Sequence, residues 1–342
     1  MNIKVVGIDI AKSVFQVCVL LHDNKVAWNR KITRSDLMKK LSQLPESTLI
    51  AMEACASSHH WARQMKQHGF EVMLIPAQFV KPFVGHQKND ANDARAICEA
   101  SQRPDVHSVQ VKTIEQQDIK ALRNVRQRLV DNRIALVNQS RAMAAEYGVI
   151  FPKHVTKFQE LLPLAIEDAS NQLSHVMRRL LLENYDELKQ LNRDIQQVEH
   201  DLLELCKTNH RFKTLQEVPG FGPIISSALI SELGTGKQFS NGRQFSAWCG
   251  LVPKQHSSGG KSCLKGITKN GNKQLRTLIL HGARAVVRYA DKRQDKMGTW
   301  LRELMARRGK VKAVVALANK LCRIGWRLLS SGEQFDVNKA FA

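Results

Sequence analysis

Along residues 1–75, apolar positions fall in short runs separated by polar breaks of turn length. Residues 2–9 (NIKVVGID), 14–21 (VFQVCVLL) and 25–32 (KVAWNRKI) are rich in β-branched and aromatic residues, and the pattern predicts three consecutive strands in a meander. A helical segment from Ser35 to Leu44 follows, then a strand at 48–53 (TLIAME), a helix at 57–68 and a strand at 70–75 (FEVMLI) that Pro76 stops. Helical crossovers make the later strands parallel to the first. This is an α/β domain, and ligands of such sheets gather at the carboxyl ends of the strands.

From about Ile114 to Glu146 the strand character is lost, and Leu122, Leu129, Leu136 and Met143 recur every seven residues, predicting a long helix. A second is marked by Leu188, Leu191, Ile195, Val198, Leu202 and Leu205 at alternating spacings of three and four. The pair is compatible with an antiparallel hairpin in one chain, a coiled coil between chains, or an ordinary two-helix core. The turn sequence VPGFGP occupies 218–223 and opens a second globular region running to about Leu329, whose last helix, 311–329, has one apolar and one basic face. The expected organisation is an α/β domain over 1–110, a helical coiled-coil arm over 111–210, a mainly α domain over 211–330 and a tail over 331–342.

Charge changes the picture. Lys and Arg number 52 against 31 Asp and Glu, a formal charge of +21, beyond what solubility needs. Residues 241–342 carry 21 basic and 5 acidic residues, whereas residues 1–100 carry 13 and 9, so a polyanion docks mainly on the C-terminal third. Lys254, Lys261, Lys265, Lys269 and Lys273 lie in a Gly- and Ser-rich segment, which suits gripping phosphate better than lying on a membrane. A hydrophobic content of 43% excludes a disordered basic tail. The seven cysteines are scattered without a C-x-x-C pair, which supports neither a disulfide framework nor a zinc site. No apolar run approaches the roughly 20 residues that span a bilayer, and a reducing, cytoplasmic setting is expected.

Four acids carry the candidate chemistry. Asp9 ends the first strand (GIDIAK) and Glu53 ends the fourth (LIAMEA), so parallel neighbours would present both at one sheet edge. Asp90 and Asp93, three apart at the start of a predicted helix in KNDANDAR, share a helix face. Singly, each is an ordinary strand-end or cap residue. Together, in so basic a chain, they point to bound cations, and hard oxygen ligands suit Mg²⁺ or Mn²⁺. Two such ions about 4 Å apart stabilise the attacking and leaving oxygens of phosphodiester displacement, which predicts nucleic-acid cleavage or strand transfer.

The order of strands and acids resembles the RNase H-like nucleases of the RuvC type. More closely, GIDIAK, the Met-Glu pair ending its strand, and KNDANDAR resemble the Asp-Glu-Asp-Asp motifs of the insertion-sequence one-ten transposases, which are guided by a bridge RNA and are relatives of the Piv-type DNA invertases. The resemblance runs almost end to end and implies a RuvC-like catalytic domain, a helical arm and a C-terminal transposase domain. It implies that Asp9, Glu53, Asp90 and Asp93 form a metal-binding tetrad. VPGFGP resembles the turn of a helix-hairpin-helix element, with Gly220 and Gly222 allowing backbone N–H groups near a DNA phosphate.

Residue spacing alone makes Ser257 and Ser258 part of a flexible surface loop, and the nearby His256 establishes no catalytic triad. The family, however, pairs its tetrad with a serine after a GLxP segment, which falls on Ser258 with Ser257 beside it. In the family that hydroxyl attacks the DNA phosphate to form a phosphoserine link, which implies the same role for Ser258 here, with the nearby Lys254 and Lys261 expected to steady the developing charge. The resemblance further implies DNA and guide RNA as partners, and a dimer or tetramer in which the serine and the acids of one active site come from different subunits. Two other readings fit the residues: a metal-dependent junction resolvase using water, and a non-catalytic nucleic-acid-binding protein.

Overall fold

The structure, a computed structural model, describes residues 2–85, 89–259 and 261–342, without the side chain of Ser262. Lys88 of KNDANDAR and Gly260 of the serine segment lie outside the described residues. The chain divides into two compact units, one ending at Thr113 and one running from Ile114 to Ala342.

In the first unit, β1 (Ile3–Ile10), β2 (Val14–Leu21) and β3 (Val26–Thr33) form the expected antiparallel meander. After α1 (Leu37–Leu41), β4 (Leu49–Glu53) returns parallel to β1. After α2 (Ser58–Gln67), β5 (Glu71–Ile75) lies parallel to β4. The sheet order is β3-β2-β1-β4-β5. The inner strands β1, β2 and β4 are largely apolar because both faces are covered, whereas the edge strand β3 is mostly exposed. Val6, Ile8, Val17, Ile50 and Met52 pack with Leu37, Leu41 and Trp61 on one side. Val5, Cys18 and Ala51 meet Ala94, Ile97 and Cys98 of α4 (Asp90–Ser101) on the other. The short α3 (Ala77–Val80) lies between β5 and α4. The first helix covers less than the predicted Ser35–Leu44; Leu37 and Leu41 are buried, with Met38 and Leu44 partly buried against the same core.

α4 sits unusually close to the sheet. A Cβ at Gly7 would lie 2.4 Å from the Ala94 carbonyl oxygen and 2.6 Å from Cys98 Sγ, so β1 carries glycine where the helix crosses. The small side chains of Ala94 and Cys98 complete the approach.

In the second unit, α5 (Ile114–Ala145) and α7 (His175–Cys206) pair antiparallel within the chain. Bonds from Arg126 to Glu199, Arg133 to Asn192 and Asn184 to Ser140 run forward along one helix and backward along the other. Leu129, Leu136, Leu188, Leu191 and Ile195 fill the seam. Late in α5 the buried position passes from the predicted Met143 to Ala144, because a straight helix drifts from a strict seven-residue repeat. α7 begins well before the predicted stripe. α6 (Val155–Glu167), which the pattern did not reveal, packs Phe158 and Leu162 against this pair despite Pro163 in its interior. Its last carbonyls, Ala165 and Ile166, accept from the Arg178 guanidinium, a cap that periodicity does not show.

At the base of the arm, Ile119, Leu202 and Cys206 join the core of the C-terminal region. That region contains α8 (His210–Gln216), α9 (Pro223–Leu233), α10 (Gly242–Trp248), β6 (Pro253–Ser258), β7 (Lys261–Ile267), α11 (Lys273–Arg288), α12 (Lys296–Arg308), α13 (Lys310–Ser331) and α14 (Val337–Ala340). Asn209, Asn241, Asn272 and Asp295 cap α8, α10, α11 and α12 by accepting from first-turn amides.

One expectation is corrected here. The serine-bearing segment is a two-stranded antiparallel hairpin rather than a flexible loop. Gly259, at φ +55°, supplies the left-handed backbone of a tight turn, and exposure of β6 on both faces removes the apolar alternation that marks most strands. The terminal segment is docked: Phe341 is buried, with its ring 5.5 Å from that of Trp300.

Candidate active site

The parallel register of β1 and β4 pairs Ile8 with Met52, so the next residues, Asp9 and Glu53, leave the sheet at the same carboxyl edge. Asp9 follows Val5 and Gly7 on alternate positions, and Glu53 follows Ala51, which places both on the face covered by α4. Asp90 and Asp93 occupy the first turn of α4, where the helix dipole favours negative charge. Asn89 caps that turn by accepting from the Asn92 amide.

The electrostatics tie the acids together. Burial, then the negative charges of Asp93, Asp90 and Glu53, push the Asp9 carboxyl above its ordinary value, and the Ile10 backbone N–H offsets part of this. Burial, Glu53 and Asp9 likewise push the Cys55 thiol up, which suppresses its thiolate. Three elements therefore bring all four predicted acids into one electrostatic neighbourhood. Among the described residues, no three His, Cys, Asp or Glu side chains stand close enough to hold a metal ion as placed. Like charges resist closer approach, and Asp90 is drawn to Lys31 at 3.1 Å.

Sequence reasoning missed the polar residues around these acids. Across the sheet, Gln16 of β2 pairs with Asp9 on one side and Lys31 of β3 on the other. Gln16 Nε2 donates to Asn29 Oδ1 at 2.6 Å, and Asn29 Nδ2 donates to the Ala91 carbonyl oxygen at 2.8 Å. The available signal was Gln16 itself, the one polar residue in VFQVCVLL and a buried one.

In the second unit, Ser258 ends β6 opposite Lys261, and Ser257 is opposite Ser262. Ser257 Oγ accepts from Gln255 Nε2 at 2.8 Å, and both Ser257 and Ser258 are exposed. A cavity of about 1720 Å³ opens between this hairpin, α11 and α13. Lys265, Lys269, Arg284, Arg288, Lys310 and Lys312 line it together with apolar side chains that include Leu264 and Val314. The predicted basic face of the last long helix thus contributes its first turn to a groove that also takes two of the predicted phosphate-gripping lysines. Lys254 and Lys261 lie on the exposed hairpin.

The two glycines of VPGFGP differ in role. Gly220, at φ +92°, lies against α11, and a Cβ there would come within 2.9 Å of the Gly282 carbonyl oxygen. Gly222 is exposed and is the N-cap residue of α9.

Comparison with known proteins converges on one family. A transposase family model matches residues 6–149, a span that contains all four acids, and the model of the transposase IS116/IS110/IS902 family matches residues 212–297, which contain the serine hairpin. The chain is 42% identical, over 98% of its length and 92% of the relative's, to the transposase for insertion sequence element IS1111A of Coxiella burnetii. It is 43% identical, over 96% of its length and 98% of the relative's, to a probable family 20 transposase of Pseudomonas aeruginosa. Similarity extends at 22% identity, over 97% of both chains, to the pilin gene-inverting protein of Moraxella bovis. With acids and serine hairpin each inside a matched region and relatives aligned over nearly the whole length, the chain belongs to the IS116/IS110/IS902 family of insertion-sequence transposases.

Proposed function

We propose that this transposase is a divalent-metal-dependent DNA recombinase with an RNase H-like acidic site, in which Asp9, Glu53, Asp90 and Asp93 hold Mg²⁺ or Mn²⁺ and Ser258 is the nucleophile. The observation that carries the reading is the placement of Asp9 and Glu53 at one carboxyl edge of two parallel strands, where burial and then the charges of Asp93, Asp90 and Glu53 push the Asp9 carboxyl up. An all-oxygen donor set of this charge fits a hard divalent cation and no softer metal. Such ions, when bound, polarise the phosphate and stabilise the departing oxygen.

Ser258, exposed at the hairpin end beside Lys261, is accessible to a backbone phosphate. Its Oγ forms a bond to phosphorus while one phosphate–deoxyribose ester bond breaks. The serine proton passes to solvent, and the leaving oxygen is released as a hydroxyl. The phosphoserine retains the ester energy, so a hydroxyl from another strand can reverse the step and join new ends. Lys254 and Lys261 steady the extra negative charge, and the basic groove with the exposed Gly222 turn holds nucleic acid. Donor and target DNA and a guide RNA are the polyanions this charge serves, in an assembly of two to four chains that brings acids and serine together.

The test is strand exchange between element-end and target DNA with Mg²⁺, analysed on a denaturing gel. The parent should give joined products and a protein-linked DNA species. Asp9→Asn and Ser258→Ala should each lower joining at least a thousandfold, and Ser258→Ala should remove the linked species while Ser257→Ala keeps it. Cleaved, unjoined ends without a linked species in the parent would assign water as the nucleophile. Salt-sensitive binding indifferent to Mg²⁺, with no strand breakage, would leave only a binding protein.

A further inference from the structure

The metal reading requires Asp90 and Asp93 to be presented to Asp9 at a set angle, yet both sit in the first turn of a helix, where backbone bonds are fewest. Asn89 caps that turn from within the helix and Lys31 of β3 pairs with Asp90, and one further contact reaches the backbone of the turn from the sheet. The helix body is held by the tight packing of Ala94 and Cys98 on Gly7, but Asp90 and Asp93 lie before it. The Ala91 carbonyl lies between these two acids in sequence and accepts from Asn29 Nδ2 at 2.8 Å, a bond spanning 62 residues of chain. Asn29 is in turn oriented by Gln16, whose Nε2 donates to Asn29 Oδ1 at 2.6 Å. This fixes the amide so that its NH₂ end faces the helix. Gln16 is buried on β2, between the edge strand β3 and β1, and is the direct cross-strand partner of Asp9. One chain of two hydrogen bonds thus connects the strand beside Asp9 to the turn bearing Asp90 and Asp93.

We propose that Gln16 and Asn29 are positioning residues that hold the first turn of α4 in register with Asp9, and so set the affinity of the acidic site for its divalent ion. This rests on the metal reading given above. Neither residue is a ligand: each acts through the backbone that carries the ligands, as outer partners do at other metal sites. A buried glutamine in an otherwise apolar strand is costly unless satisfied, and here the satisfying partner is the residue that reaches the helix.

The test uses the full chain without DNA. Mn²⁺ binding is measured by titration calorimetry, thermal midpoints in EDTA, and amide hydrogen exchange across the protein. The variants are Asn29→Leu, which keeps the shape and removes the donor, Gln16→Met, which leaves Asn29 unoriented, and Asp9→Asn as the control for the acidic site. For both relay variants we expect Mn²⁺ binding about 10-fold weaker or more and faster exchange confined to the amides of residues 92–94, with the thermal midpoint in EDTA close to the parent's for Gln16→Met and lower for Asn29→Leu, which leaves the buried Gln16 amide unsatisfied. Unchanged Mn²⁺ affinity together with unchanged exchange in that turn would overturn the proposal. So would faster exchange throughout residues 2–113 in both variants, which would make the relay a general stability element. If the parent and Asp9→Asn bind Mn²⁺ equally, the metal reading fails by itself, and the relay stands or falls on whether exchange quickens only in the α4 turn.

Discussion

Asp9 concentrates the energetic tension of the molecule, because its carboxyl is partly buried and faces three like charges. Its pKa in the folded chain is raised above the unfolded value, so the unfolded state ionises first as pH rises. Stability that is fully present below the unfolded pKa of about 3.8 is therefore lost as pH rises through the folded value. Asp9→Asn should then raise the thermal midpoint in EDTA at pH 7, with the gain shrinking to nothing toward pH 3. Added Mn²⁺ should raise the midpoint of the parent and leave Asp9→Asn unmoved, since only a ligand that binds the folded state stabilises it. A lower midpoint for Asp9→Asn at pH 7 would contradict the electrostatic account. Asp9 and Glu53 were legible as strand-end acids because strand ends are written in local alternation. Their shared edge was expected only on the assumption of parallel pairing, which the register of Ile8 with Met52 supplies between chain segments more than 40 residues apart.

At the scale of elements, the acidic site depends on how closely α4 lies on β1. Gly7→Ala would put a methyl group 2.4 Å from the Ala94 carbonyl oxygen. The helix must move, at a cost of about 1–3 kcal/mol as for other overpacked sites. Urea unfolding should register that loss, and Mn²⁺ affinity should fall with it because Asp90 and Asp93 move with the helix. The arm gives a contrasting case: Leu188 is 1% exposed in the α5–α7 seam. Leu188→Ala should cost about 2–5 kcal/mol by leaving a cavity, measured by the same unfolding experiment, with Mn²⁺ binding kept. Both long helices could be read from their apolar stripes, whereas the choice among hairpin, intermolecular coil and simple core needed the antiparallel bonds between Arg126 and Glu199 and between Arg133 and Asn192. α6 escaped the pattern because Pro163 marks a break, and its end is completed by Arg178, a residue of the next helix.

Across the whole molecule, the +21 charge predicts strongly salt-dependent nucleic-acid binding. If Lys265 and Lys269 each meet one phosphate, Lys265→Ala with Lys269→Ala should flatten the slope of log K against log salt for a DNA duplex by about 0.9 for every phosphate left unneutralised. An unchanged slope would place the polyanion elsewhere than the groove between the hairpin, α11 and α13. The sequence by itself determined strand and helix types in the first unit, the four acids as candidates and the C-terminal concentration of cations, since each is a property of near neighbours or of composition. Tertiary structure alone decided that Gly7 admits α4, that Gly220 packs against Gly282, that the serine segment is a hairpin, and that Gln16 reaches the α4 turn through Asn29. Those pairings join residues far apart in the chain, and no local periodicity encodes them: they exist only once packing has brought two surfaces within a few ångströms of each other.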